Sequence, residues 1–256
     1  MTWKHFIFIF FVPFFVSCAM KEAQLKREKS AAAHHKLGIA YLKDKPPALQ
    51  RAYIEFQKSV ELDPQSRDSH YALGHVYFKQ KSYPEAISSF KKVLAIDPDF
   101  SEGHNYLGRV YAFLGEFDKA ITSYRAALNN ARYATPEAPY WNMGLVYIRQ
   151  KKYKDAVREL NNALNVNPTI VVVHNLLGEV YSKLNEPQKA ISAYREAIRI
   201  TPDDINAHYN LACVYRKNGS EALAEEEFNK VLALSPQLQE EKDFKKCLDP
   251  VESDPE

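Results

Sequence analysis

Glycine and cysteine are both scarce in this chain, with eight glycines and three cysteines in 256 residues. Cys18, Cys213 and Cys247 are too few for a disulfide scaffold or a four-cysteine zinc site. Charge of one sign is also lacking. The net charge is +2, without the basic surplus of a general nucleic-acid binder. Long apolar runs are absent beyond the start of the chain. The one run, Phe6 to Val16, is interrupted by Pro13 and falls well short of the ~20 residues that span a bilayer as a helix. Hydrophobic residues still make up 46% and charged residues 26% of the chain, a balance that supports folding rather than disorder.

Lys4 and His5 precede the apolar run, and Ser17 and Cys18 come directly after it. That order describes a secretory signal over residues 1–17. Phe15-Val16-Ser17-Cys18 also resembles a lipobox, with Phe15 where leucine is usual. The resemblance implies that Cys18 is diacylated on sulfur and becomes the new N-terminus. An ordinary signal peptide with an incidental cysteine is the alternative. Residues 18–30 then form a polar, mildly basic linker that extends the first helix backwards. Ala19, in place of aspartate, favours the outer membrane over the inner one.

The rest of the chain repeats itself. Leu37-Gly38, Leu73-Gly74, Leu107-Gly108, Met143-Gly144, Leu177-Gly178 and Leu211-Ala212 recur at spacings of 36, 34, 36, 34 and 34 residues. Each pair is followed by a tyrosine: Tyr41, Tyr77, Tyr111, Tyr147, Tyr181 and Tyr215. Further on come an alanine (Ala52, Ala86, Ala120, Ala156, Ala190, Ala224) and then a bulky residue (Phe56, Phe90, Tyr124, Leu160, Tyr194, Phe228). This pattern resembles the tetratricopeptide family over residues 31 to 238. The fold implied is an all-α solenoid of six helix-turn-helix repeats, at 31–66, 67–100, 101–136, 137–170, 171–204 and 205–238.

Small residues let two helices approach, and aromatics fill the space between hairpins. A single hairpin cannot bury its apolar face alone, so neighbours must stack. Pro64, Pro98, Pro168, Pro202 and Pro236 mark the ends of second helices. The third repeat has Arg132 instead and restarts at Thr135-Pro136-Glu137, with threonine as N-cap and proline at the first helical place. A second insertion surrounds Pro46-Pro47 in the first repeat. Residues 239–248 are expected to form a capping helix, and 249–256 an acidic tail.

No catalytic site, metal site or cofactor site stands out. Five glycines sit in the repeat register, and Gly103, Gly115 and Gly219 open a helix or form turns, so none is left to cradle a phosphate. His34, His70, His104, His174 and His208 share the fourth place of their repeats, with Tyr140 in the remaining one. Helices about 8–10 Å apart are poorly spaced for zinc, whose nitrogens lie at roughly 2.1 Å, so packing explains these rings better. Cys213 and Cys247 would fall on equivalent places of successive repeats, which leaves either a disulfide or two free thiols.

In the tetratricopeptide family, first helices line a concave groove. The resemblance places Tyr71, His75, Phe78, Lys79, Asn105, Arg109, Phe113, Trp141, Arg149, Asn175 and Lys183 there, with Tyr209, Arg216 and Lys217 beyond them. Aromatics mixed with cations suit a protein or peptide with apolar and acidic side chains. The co-chaperone subfamily's lysine and asparagine clamp for a C-terminal carboxylate is replaced here by His35 and Ile39.

A lipobox followed by about six repeats resembles the type IV pilus biogenesis lipoproteins, the PilW/PilF pilotin family. Tyr133-Ala134-Thr135-Pro136-Glu137, running into Tyr140-Trp141-Asn142-Met143-Gly144, resembles the break before that family's fourth repeat. The resemblance implies a lipid-anchored protein on the periplasmic face of the outer membrane that helps the pilus secretin assemble. A scaffold for another envelope complex, such as cell-wall or cytochrome maturation machinery, is the other reading. An enzyme and a nucleic-acid partner are not expected.

Overall fold

The computed structural model describes residues 8–240 and 247, with side chains from Met20 to Leu238 and at Cys247. Among the described residues all regular structure is helical. The chain divides into two compact units, Met1–Ala131 and Arg132–Glu256. The first holds α1 (Phe8–Lys43), α2 (Leu49–Leu62), α3 (Arg67–Lys79), α4 (Tyr83–Ile96), α5 (Ser101–Phe113) and α6 (Phe117–Leu128). The second holds α7 (Glu137–Arg149), α8 (Tyr153–Val166), α9 (Val171–Lys183), α10 (Pro187–Ile200), α11 (Ile205–Lys217), α12 (Glu221–Leu234) and a closing 3-10 turn, Pro236–Glu240. In each unit, consecutive helices pair as hairpins, and the second helix of one hairpin packs on the first helix of the next. This is the helical-hairpin solenoid that the spacing predicts.

The small-residue register explains the pairing. A methyl group at Gly38, Gly74, Gly108, Gly144 or Gly178 would lie 2.5–2.7 Å from the side chain of Phe56, Phe90, Tyr124, Leu160 or Tyr194 respectively. Glycine therefore lets the bulky side chain of the second helix lie flat on the first helix. Those five side chains are at most 2% exposed, and burying each contributes about 1.5–3 kcal/mol. The alanines at 52, 86, 120, 156, 190 and 224 are all fully buried and admit the close approach.

The turns inside hairpins repeat as well. Lys81, Gly115, Lys151, Asn185 and Gly219 have φ of 57–76° and end each first helix in the left-handed region. The next amide, of Ser82, Glu116, Lys152, Glu186 or Ser220, donates to the carbonyl of Tyr77, Tyr111, Tyr147, Tyr181 or Tyr215 at 2.8–2.9 Å. This is a Schellman ending, which satisfies carbonyls that the helix leaves free. In the first repeat, Ala48 N donates to Tyr41 O at 2.9 Å. The Pro46-Pro47 insertion thus lengthens the turn without leaving that carbonyl unpaired.

Two boundaries differ from the sequence reading. α7 begins at Glu137, with Pro136 as its N-cap and no side-chain cap. Proline has no N–H to cap and already holds helical dihedrals, so Ala138 N bonds Thr135 O instead. At the other end, residues 239–240 of the expected 239–248 cap belong to the 3-10 turn Pro236–Glu240, and Cys247 lies outside any helix. Residues 241–246 and 248 of the expected cap and the tail 249–256 lie outside the described residues, as do residues 1–7 of the signal. The backbone at the lipobox Phe15–Cys18 continues α1, and its side chains lie outside the described set. Residues 20–29 of α1 are exposed, and among the described side chains Ala31 is the first buried one.

Candidate protein-binding faces

In the first unit, α3 and α5 bring most of the expected groove residues into one cluster. Tyr71, His75 and Phe78 come from α3, Arg109 and Phe113 from α5. The rings of Phe78 and Phe113 meet edge-on with centroids 5.2 Å apart. Tyr71 meets Phe100 at 5.3 Å and Tyr106 at 5.6 Å, again edge-on. Each such pair adds about 0.5–1.5 kcal/mol beyond burial. The Arg109 guanidinium lies 5.0 Å from the Phe78 ring centroid and 4.7 Å from that of Tyr106. That stacking orients a cation on the cluster without neutralising it.

His75 sits within this cluster. Its Nε2 and the Tyr106 hydroxyl are 2.8 Å apart, and its Nδ1 is buried with no hydrogen-bond partner. Burial, with the positive charges of Lys79 and Arg109, brings its pKa down to about 4. At neutral pH the ring is uncharged, so the cations of this face are Lys79, which is exposed, and Arg109.

Asn105 departs from the expectation. It is 6% exposed, because the start of α5 packs inward there, and it is not presented to a partner. Conversely, Tyr106 and Tyr83 join the cluster although neither falls on a groove place of the repeat. Tyr83 stacks on Phe113 with centroids 6.0 Å apart. The density of aromatics within residues 71–113 was the sequence signal for them. What it lacked was the contact between the start of α4 and the end of α5.

The second unit carries Trp141 on α7, Arg149 at its end, and Asn175 and Lys183 on α9. Trp141 is half-buried rather than exposed, and its Nε1 is buried without a hydrogen-bond partner. Asn175 is committed to the fold. Its Nδ2 donates to Asp204 Oδ2 at 2.7 Å, and Asp204 caps α11 by accepting from Ala207 N at 3.1 Å. Arg149 and Lys183 are exposed. Arg216 bridges Glu221 and Glu225 within its own repeat at 3.2 and 3.1 Å, and its guanidinium lies 4.6 Å from the Phe228 ring centroid. The face here is thus more cationic and less aromatic than that of the first unit.

The fourth-place histidines serve the fold. Nε2 of His70, His104, His174 and His208 lies 2.8–3.1 Å from the carbonyl of Pro64, Pro98, Pro168 and Pro202. A carbonyl only accepts, so each imidazole donates and ties its helix to the proline turn before it. His34 and His208 also meet Glu55 and Glu227 through Nδ1, at 2.6 and 2.5 Å. Among the described residues, no group of His, Cys, Asp and Glu is placed to hold a metal ion.

Cys213 and Cys247 form a disulfide with Cα atoms 5.3 Å apart. Cys247 lies in the core around Leu211, Val214 and Tyr215. Their separation of 34 residues is one repeat length, as the register implies.

Tetratricopeptide-repeat profiles match residues 68–100, 89–122, 106–164, 183–219 and 205–238. The fold is similar to that of PilF from Pseudomonas aeruginosa, at a TM-score of 0.73 and 21% identity, covering 86% of this chain and 99% of that one. It is also similar to PilW, described as a widely conserved type IV pilus biogenesis factor, at 0.73 and 16% identity, covering 84% and 96%. MamA aligns at 0.59 with 27% identity, covering 65% of this chain and 96% of its own. No curated protein matches the chain in sequence.

Proposed function

For this chain, which belongs to the tetratricopeptide-repeat family, we propose the role of a non-catalytic, membrane-tethered scaffold that helps a type IV pilus secretin assemble. The observation that carries the scaffold reading is the α3–α5 face. Tyr71, Phe78, Tyr106 and Phe113 make an aromatic surface with Arg109 stacked on it and Lys79 beside it. Aromatic and arginine side chains dominate binding energy at protein interfaces. An incoming segment with apolar and acidic side chains would find both partners there.

The pilus reading draws on the fold shared with PilF and PilW over nearly their full length, and on the Tyr133–Gly144 break. The tether rests on the lipobox at Cys18. Ala19 to Ser30 continue α1 as helix, about 18 Å at 1.5 Å per residue. A lipid at Cys18 would hold the first repeat that far from the membrane surface. A secretin protomer bound to the repeats would be concentrated where it inserts, which favours assembly without catalysis.

Deleting the gene tests this. Secretin monomers should persist, heat-stable secretin multimers should fall at least tenfold at the outer membrane, and surface pili should disappear. Normal multimers and normal pili in the deletion strain would refute the pilus role. A scaffold for another envelope complex, built on the same repeats, is the second reading. That reading would be favoured by the same negative result.

A further inference from the structure

We propose that the outer side of α1 rests on anionic phospholipid headgroups, so that the first hairpin lies on the membrane surface. The inference deepens the tether reading above and rests on it.

Among the described residues no hairpin precedes α1. The consequence is visible at three places of the repeat. In the two other repeats of this unit, Leu73 and Leu107 are 4% and 7% exposed, and Val76 and Val110 are fully buried. They are covered because α2 packs on α3 and α4 packs on α5. At the same places α1 has Leu37, 43% exposed, and Ala40, also exposed. Ala33 is exposed too, where Ser69 and Gly103 are buried.

Beside this open row runs a line of cations. Lys29, Lys36 and Lys43 are exposed and seven residues apart. Successive members are two helical turns, about 10 Å, from each other, and a seven-residue step drifts only about 20° around the helix. Leu25, exposed as well, lies one turn before Lys29. Among the described residues, none of the three lysines has an ion-pair or hydrogen-bond partner. Residues 21–45 hold seven lysines and arginines against three acids, a surplus of four, whereas the net charge of the whole chain is +2. Of those acids, Glu22 and Asp44 stand at the two ends of the line, and Glu28 accepts from Gln24 at 3.0 Å. The positive charge that the chain as a whole lacks is thus gathered on the helix that follows Cys18.

Cations beside apolar side chains suit either a protein helix or a lipid surface, and the apolar part decides between them. Apart from Leu25 and Leu37 it consists of alanine. That is too little area for a stable protein interface, which buries about 1,200 Å² or more. A headgroup layer needs no shape match. Lysine stems cover apolar surface while their ammonium groups reach the phosphates. Each such lysine strengthens attachment to an anionic surface about fivefold. Among the described residues no helix is long and apolar enough to cross a membrane, so α1 would lie on the surface. A lipid chain together with a basic surface makes a two-point attachment. The ~18 Å standoff then applies only to an upright helix. Two points also fix how the first unit is turned towards the membrane.

The test is lysine accessibility on the full chain. The protein is reconstituted into vesicles of phosphatidylcholine alone, or of phosphatidylcholine with about one quarter phosphatidylglycerol. Acetylation by a water-soluble ester is then mapped by mass spectrometry. Lys29, Lys36 and Lys43 should label at least fivefold more slowly on the anionic vesicles than on the neutral ones. Lys81 and Lys151, exposed in turns, should keep their rates. Salt at about 500 mM should remove the protection. In a chain with Lys36→Glu and Lys43→Glu, Lys29 should label alike on both vesicles. Equal labelling of the three lysines on the two vesicle types overturns the proposal. Protection already present in detergent also overturns it, and would assign the face to a protein contact such as a second copy. Flotation reports the tether separately. A chain that floats with neutral vesicles but labels alike on both has its anchor without this contact, and a chain that floats with neither loses both readings.

Discussion

Gly178 and Tyr194 are in such close contact that a methyl group on the glycine would sit 2.5 Å from two carbons of the tyrosine ring. The ring is 2% exposed and has no free direction in which to move. The phenol's own ionisation is pushed well up, chiefly by this burial. Gly178→Ala gains about 1 kcal/mol in helix propensity. Overpacking a core costs about 1–3 kcal/mol, and the overlap here is with a buried ring, so the loss should win. The expected result is a lower midpoint in urea denaturation. The sixth repeat shows the alternative solution, with Ala212 in this register and fully buried near Phe228. A Gly178→Ala chain as stable as wild type would show that the fifth hairpin can spread as the sixth does.

His75 should make the first unit acid-sensitive. Its pKa is lowered to about 4 by burial and by Lys79 and Arg109, against about 6.5 when unfolded. Between those values the unfolded chain binds the extra proton, so stability rises with pH across this window. The contribution is fully present above pH ~6.5 and lost as pH falls towards 4. Partial exposure reduces the effect to the order of 2 kcal/mol. Measured from pH 7 to 4, the denaturation midpoint of wild type should fall relative to that of His75→Phe, which has no titrating ring at this place. Parallel curves would show that the ring titrates normally.

His208 and His104 make the same bond to a proline carbonyl but should respond differently to substitution. His208 is 4% exposed and also meets Glu227. His104 is half-exposed and bonds the Pro98 carbonyl at 2.8 Å. His208→Ala leaves Glu227 with Lys230 at 3.0 Å but with its other oxygen unpaired and buried, a change that costs about 1–3 kcal/mol. His104→Ala should cost under about 1 kcal/mol. Equal losses in equilibrium unfolding would mean that the carbonyl bond, and not burial with Glu227, carries the effect.

Arg109→Glu should weaken partner capture at least tenfold while leaving helicity intact, since its guanidinium lies on the rings of Phe78 and Tyr106 rather than beneath them. Trp141→Ala is a less clean probe, because half-burial of the indole ties it to stability. Melting curves beside binding isotherms separate the two effects. Unchanged capture by Arg109→Glu would move the site away from the α3–α5 face.

The hairpins were legible in the sequence because each depends on local chemistry. Gly38 needs to admit Phe56, and Gly74 to admit Phe90, so glycine and ring recur at fixed spacing. Side-chain presentation was less legible. Asn105 and Asn175 occupy the same place in their repeats, yet the first is buried and the second is held by Asp204. That outcome depends on which residue the next repeat supplies, which the register alone does not encode. The fourth-place histidines read as packing, and their bonds to proline carbonyls emerged only when the turn and the ring were placed together. Tyr83 reached the aromatic cluster for a similar reason, through a contact across hairpins.

Anchoring can be separated from binding at Cys18. The cysteine is expected to carry lipid, and the helix from Ala19 to Ser30 provides the spacer. Cys18→Ala leaves every repeat residue unchanged, so binding through the α3–α5 face should persist. Loss of the lipid should shift the protein to the soluble fraction or leave an unprocessed precursor, and secretin multimers should fall although secretin still co-purifies. The contrast with Arg109→Glu is informative: that chain should stay with membranes and lose the partner. Fractionation, metabolic labelling with a palmitate analogue and secretin co-purification, run on both variants, give opposite patterns if tether and groove are distinct. Identical processing and fractionation of wild type and Cys18→Ala would instead assign residues 1–17 to an ordinary signal, and the scaffold would then act without a lipid.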